Sequence, residues 1–355
     1  MNVDTTVNRE WAKRPDDQRF LSLEELNRAV QTRADNSTVK AVDNQLIKIY
    51  GYSGQTAEDG SLVMQSELGP KLFTNWSFGQ VAAIAGAPAG YLRKLDAPLA
   101  AANINYGLQN ASREQSVLMV NGDNLRCATS PTYGRIWDYQ VVNAVQTVTA
   151  GGSWKVPSAS HASRDPKKAT TLYASDRDVF IFLVDEEHPI ELNGEVLYRG
   201  FYVWNSEVGS QVFGLNTFLY RTVCDNRMIW GMQHQNEIRI RHSSGAPERF
   251  VTEGKKALIE YSNQSTAPIV EQIQRAQAIK VGNDEDEVKA FLKARGLSNE
   301  VAKSAIDAAR IEENDIYSPW SLAQGITAFA RSIPNTDNRV TLEREAGKLL
   351  DSVLK

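Results

Sequence analysis

Apolar positions recur along this chain in two rhythms, and the rhythm changes twice. Ser22 and Glu25 form a Ser-x-x-Glu signal, in which each side chain satisfies a backbone N–H left unpaired at a helix start, so a helix is expected from there to about Arg33. Residues 34–70 read as short strands and loops, including Gln45–Tyr50 and Leu62–Met64. Between Phe73 and Leu92 the spacing of Val81, Ile84 and Ala85 predicts a helix with Ser77 as its N-cap. Gly86 ends it, and Pro88 starts a second helix where a missing N–H costs little. The pair is helix-turn-helix-like, but its second member offers few polar groups to base edges, so plain packing is the simpler reading.

From about residue 112 to 242 the pattern becomes that of strands. Ser116–Val120 and Leu125–Ala128 flank Asn121-Gly122, a hairpin signal. Tyr133 to Thr149 turns into a helix, and residues 151–169, rich in Gly, Ser, Pro and Lys, read as an exposed loop. Thr170–Ala174, Val179–Val184 and Gly200–Trp204 are β-branched and aromatic, as buried strands are. A second Asn-Gly pair stands at Asn193-Gly194. Glu237–His242 alternates strictly, with Ile238 and Ile240 on one face and Arg239 and Arg241 on the other.

The helical rhythm returns at Ala246 and continues to Leu354, with acids opening one helix at Asn283–Glu287, where the helix dipole favours them. Ser298–Ile311, Ser318–Ile333 and Leu342–Leu354 are three further helices. The expected fold is α+β: a central antiparallel sheet with packed helices and a C-terminal helical bundle. Three regions are expected: 1–110 as an N-terminal arm with helices and strands, 111–280 as the β-rich domain with a trailing helix, and 281–355 as the helical region.

Composition changes this picture little. The 355 residues are 42% hydrophobic and 23% charged, enough for a sizeable core without staples. A net charge of −4 argues against a polybasic DNA binder, though a local basic groove stays open. The two cysteines, Cys127 and Cys224, sit in apolar runs and suit buried thiols in a reducing cytoplasm. No signal-like start and no membrane-length apolar run is present, so a cytoplasmic protein is expected.

Five strings carry a family resemblance. They are Trp11-x-x-Arg14-Pro15 with Arg19-Phe20; Trp76–Gln80 with Gly86–Leu92; Ser130-x-x-Tyr133-Gly134-Arg135; Gly200 through Asn205-Ser206-Glu207-Val208-Gly209; and Arg221-x-Val223-Cys224-x-Asn226 with Arg241-His242. Together, over about residues 10–260, the chain resembles the phage- and plasmid-like proteins grouped as domain of unknown function 932. That resemblance implies a place in a mobile element and no defined chemistry. The order hairpin, helix, strands, charged helix is also similar, at the level of fold pattern alone, to phage single-strand annealing proteins.

Three functions compete. The first is nucleic-acid handling, as an oligomer that binds or anneals single-stranded DNA without a cofactor. Guanidiniums track phosphates and rings stack bases, and Arg135, Tyr202, Trp204, Arg221, Arg227, Arg239, Arg241 and His242 supply both. Against it, aromatics fill cores and arginines pair with acids such as Asp225 and Glu237. The second is a nuclease, with Asp176, Asp178 and Glu207 holding Mg²⁺ and Lys167, Lys168 or His188 nearby. Against it, Asn205–Gly209 also reads as a tight turn closing a strand. The third is a non-catalytic protein that engages a host factor through its acidic helical tail. A Cys224 nucleophile paired with His234 or His242 is a lesser alternative to a buried thiol. No phosphate-binding or dinucleotide glycine motif occurs.

Overall fold

The computed structural model describes residues 15–52, 62–156, 170–192, 195–221, 227–228, 237–333 and 336–354, and in these the chain builds two β-sheets and a C-terminal bundle. Strand β1 (Arg19–Phe20) leads into helix α1 (Leu23–Asp35). Ser22 caps α1 as expected, its Oγ accepting from the Glu25 N–H at 3.1 Å. The Glu25 carboxylate reaches one residue further back, to the Leu21 N–H at 2.9 Å.

The N-terminal sheet takes β2 (Ser37–Asp43), β3 (Lys48–Gly51), β4 (Leu62–Ser66) and β5 (Gly69–Phe73) before helices α2 (Asn75–Ile84), α3 (Ala89–Leu92) and α4 (Ala97–Gln109). It is completed by β6 (Gln115–Asn121) and β7 (Asn124–Thr129). The strand order is β2-β6-β7-β5-β4-β3, antiparallel except for β5 with β7. The helices pack on one face, where Ile49, Met64, Leu118 and Leu125 meet Phe78, Val81, Ile104 and Leu108. Two details differ from the sequence expectation. Thr74 caps α2 and Ser77 occupies the third helical position, completing the box with its own hydroxyl. In the first hairpin Asn121 pairs with Asn124, so the two-residue turn is Gly122-Asp123, with Gly122 at φ 53°, one residue on from the Asn-Gly signal.

The central sheet is built after helix α5 (Asp138–Thr149) from β8 (Trp154–Lys155), β9 (Leu172–Ala174), β10 (Val179–Leu192), β11 (Glu195–Asn205), β12 (Phe213–Arg221), β13 (Arg227–Met228) and β14 (Glu237–Ile240). Its order is β1-β9-β10-β11-β12-β13, with β8 on β10 and β14 on β12. Leu192 pairs with Glu195, and the second Asn-Gly pair, Asn193-Gly194, lies outside the described residues. Both faces are buried, as a continuous apolar run such as Val179–Val184 requires. One face packs Ile181, Leu183, Phe201 and Val203 against α1 and α5. The other carries Tyr173, Phe180, Phe182, Tyr202 and Trp204.

The chain then forms α6 (Ala246–Arg249), a π-helical stretch over Phe250–Lys255, α7 (Lys256–Asn263) and α8 (Ala267–Ala278). The bundle adds α9 (Glu285–Lys293), α10 (Asn299–Glu312), α11 (Pro319–Arg331) and α12 (Thr336–Leu354). Its core includes Ile269 and Ile273 of α8 and Ile190, Leu197 and Leu219 at the far end of the central sheet. The expected divisions at 110 and 280 therefore fall inside packed units. Strands on both sides of residue 110 share one sheet, and helices on both sides of residue 280 share one core. No helix among the described residues is long and apolar enough to cross a membrane.

Candidate functional site

The segment Asn205–Gly209, between β11 and β12, is where the N-terminal and central sheets are tied together. Its first four residues are each held by another part of the chain. The Asn205 amide donates to the Ile136 carbonyl at 2.9 Å and to the Asp138 carboxylate at 2.8 Å. Ser206 donates to the Arg177 carbonyl at 2.6 Å, and its own carbonyl accepts from the Tyr133 hydroxyl at 2.9 Å. The Val208 carbonyl accepts from Trp76 Nε1 at 3.0 Å and Gln80 Nε2 at 2.9 Å, both from α2. Gly209 ends the segment at φ 86°, the left-handed region that disfavours a side chain.

Glu207 is the buried centre of this segment. Its carboxylate meets Arg126 at 2.7 Å and Arg33 Nε at 3.4 Å, and it accepts from the Asp138 N–H at 3.1 Å. Arg135 donates to its carbonyl oxygen. Arg126 reaches it from a β-bulge: Met119 pairs with Cys127 and Val120 with Leu125, leaving Arg126 as the extra residue of β7. Asp138, fully buried, pairs with Arg33 at 2.8 Å. Burial and then the neighbouring Glu207 charge push the Asp138 carboxyl well above the usual carboxylate range, against the pull of Arg33, Asn205 and Arg126. Two acids and two arginines thus form a network whose carboxylates are fully buried, with Arg33 partly exposed at its edge.

On the outer side of the same segment lies an open cleft of about 620 Å³. Its walls include Tyr133, Ser210, Gln211, Arg241, His242 and Ser243. Tyr133 and His242 stack at 4.9 Å and 23°. His242 Nδ1–H donates to the Gly134 carbonyl at 3.0 Å, which fixes the tautomer and leaves Nε2 as an acceptor. Among the described residues Nε2 has no hydrogen-bond partner. Burial pushes the imidazole down to about 4; the bond to Gly134 opposes this and Arg135 adds to it, so the ring is neutral at pH 7. Gly134 is required here because a Cβ would fall 1.8 Å from the Ser243 carbonyl oxygen. Arg241 is exposed at the rim, and no carboxylate lines the cleft among the described residues.

The residues proposed from sequence separate into three groups. Arg241 and His242 meet at the cleft, and Arg239 is exposed one turn of the pleat away on β14. Arg135 lies beneath it, committed to the Glu207 carbonyl and packed between the Tyr133 and Trp137 rings. Tyr202 and Trp204 are 1% and 3% exposed, so they do not offer rings to bases. Tyr202 stacks between Phe180 and Trp204, and the Trp204 indole lies across Gly214, where a Cβ would fall 1.8 Å from it. The side chains of Arg221 and Arg227 lie outside the described residues, as do Cys224, His234, Lys167 and Lys168.

The three acids suggested for Mg²⁺ do not come together. Asp176 is exposed, and Asp178 is taken by Ser175 at 2.6 Å and Gln211 at 3.0 Å. Glu207 is neutralised by two arginines. Among the described residues no cluster of His, Cys, Asp and Glu could hold a metal ion. Cys127 is buried behind Met119 and Val208, and burial raises its thiol, so it is no nucleophile. Sequence reading missed Arg33, Arg126 and Asp138, whose only local signal is the position of Asp138 at the start of a helix.

Compared with known proteins, residues 129–333 match the family described as Domain of unknown function (DUF932). No curated protein and no solved structure matches the chain. The matched segment contains the tie at Asn205–Gly209 and the whole cleft wall from Ser130 to Ser244.

Proposed function

The chain belongs to the family of domain of unknown function 932, and from that membership and the acid-free cleft beside Arg241 we propose that it handles nucleic acid for a mobile element, holding the backbone of a single strand there. One observation carries the reading. In a chain of net charge −4, the open cleft between Tyr133, His242 and Arg241 is lined by hydroxyls and one exposed guanidinium, and by no carboxylate among the described residues. Hydroxyl donors around an arginine favour a phosphate, because charge-assisted bonds form without a competing anion. His242, neutral at pH 7, adds no charge, and its ring stacks on Tyr133 in the cleft wall. In this proposal the partner is single-stranded DNA, bound without a cofactor, and the protein acts as a homo-oligomer.

The test is fluorescence anisotropy of labelled oligonucleotides across a potassium chloride series. The expected result is ATP-independent binding of single strands that weakens with salt, with Arg241→Gln lowering the salt slope by about one. Absence of binding at low salt, or an unchanged slope in the variant, would overturn the proposal.

A further inference from the structure

The outer face of the N-terminal sheet carries an aromatic and apolar row that nothing covers among the described residues. In β3 the side chains alternate: Ile49 enters the core, while Lys48 and Tyr50 stand on the opposite face, and Tyr52 follows just past the end of the strand. Tyr50 and Tyr52 are 56% and 62% exposed. Val63 and Leu72 continue the row across the sheet from Tyr50, in register, and Leu72 is itself exposed. Gln65 and Pro70 lie across from Lys48. Among the described residues this strip therefore combines apolar and aromatic surface with one cation and no acid.

The same face is covered elsewhere. Met119 and Cys127, on β6 and β7, are buried beneath Val208, Trp76 and Trp137. The β3–β4–β5 end has no such cover among the described residues. Its edge is also closed to another strand. Asn105 of α4 accepts from the Ile49 N–H at 2.8 Å and donates to the Ile49 carbonyl at 2.8 Å, so both outward backbone groups of Ile49 are already paired. A partner that adds a strand is disfavoured by this closure, which leaves the face and not the edge as the contact surface.

We infer that Tyr50 and Tyr52, with Lys48 beside them, form a base-stacking surface for single-stranded nucleic acid, separate from the cleft at Arg241. Tyr50 stands on the strand and Tyr52 just past its end, two exposed rings whose Cα atoms are at most about 7 Å apart. Ring stacking is tolerant of sequence, and Lys48 supplies the charge complement for the adjoining phosphate. This inference rests on the nucleic-acid reading above and relocates its stacking component from Tyr202 and Trp204 to the N-terminal sheet.

The experiment compares full-length wild type with the double variants Tyr50→Ala/Tyr52→Ala and Tyr50→Phe/Tyr52→Phe, using the same labelled single strands and a duplex control. The alanine pair is expected to weaken single-strand binding at least about tenfold, and the phenylalanine pair to retain it. Photocrosslinking of 5-iodouracil-substituted DNA to wild type, read by mass spectrometry, is expected to mark a peptide containing Tyr50 or Tyr52. Binding that persists in the alanine pair, with crosslinks elsewhere, overturns this surface and leaves the cleft reading standing. A wild type that binds no single strand overturns both. Sedimentation of the same variants decides a further outcome: if the alanine pair changes only the oligomeric mass, the face joins copies of the chain and the inference fails.

Discussion

The two sheets carry aromatic rows built on the same alternation, yet one row is a core and the other a surface. In the central sheet Tyr173, Phe180, Tyr202 and Trp204 stack in succession, with centroids 6.1, 5.8 and 5.5 Å apart, and all are buried. In the N-terminal sheet Tyr50 faces outward, and Tyr52, just past the strand, is exposed beside it. The residues between the aromatics make the difference. Around Phe180 the intervening positions are Val179, Ile181 and Leu183, so both faces are apolar and both must be covered. Around Tyr50 the neighbours alternate between core and solvent, so one face only is buried. An aromatic strand residue is available to a ligand when the opposite parity alone pays for the core.

The largest expected effect separates the tie from both rows. Glu207→Ala strands Arg126 and Arg33 without their shared acid, and urea unfolding is expected to show a loss of about 3–5 kcal/mol. Trp204→Ala removes a closely packed indole from the buried row and is expected to cost a comparable or slightly smaller amount, about 3–4 kcal/mol. A change under 1 kcal/mol at Trp204 would mean that the buried row is not core and would erase the contrast.

A smaller effect concerns pH. His242 has its folded value pushed down to about 4, below the ordinary 6.5 of the unfolded chain. The unfolded state then binds the extra proton between these values, so stability is present above about pH 6.5 and is lost as pH falls toward 4. The loss amounts to at most about 3 kcal/mol. His242→Phe keeps a ring against Tyr133 and is expected to flatten this part of the curve relative to wild type; parallel curves would remove His242 as the cause. The smallest effect is Tyr52→Ala, expected to leave thermal stability within about 0.5 kcal/mol. A larger loss there would show that the outer row is structural after all.

Much of the fold is legible in the sequence because it depends on local rules. The Ser22 cap, the run at Val179–Val184 and the alternation of Arg239 with Ile240 all appear where the pattern puts them. Thr74 and Ser77 show the limit of such rules. Either can cap a helix, and only the backbone geometry decides that Thr74 does so while Ser77 completes the box. The site is legible in part. The strings around Trp76, Tyr133, Asn205 and His242 do converge, and the turn reading of Asn205–Gly209 accounts for its bonds better than a metal site does. What escaped was the set of partners. Arg33, Arg126 and Asp138 lie on three elements distant in sequence from Glu207, and the bulge that aims Arg126 has no signature of its own. Tyr202 and Trp204 were misjudged for a related reason: aromatic residues on a strand indicate stacking only when their face is known to be open.

The shared core of the bundle and the central sheet has a consequence for synthesis. Ile190, Leu197 and Leu219 are covered together with Leu349 and Leu350, near the other end of the last helix. On a ribosome adding about 5–20 residues per second, the finished hairpin end waits on the order of ten seconds for the helices that seal it. During that interval the nascent chain presents an apolar strand end to its surroundings, which makes translation speed and chaperone supply determinants of yield for this protein.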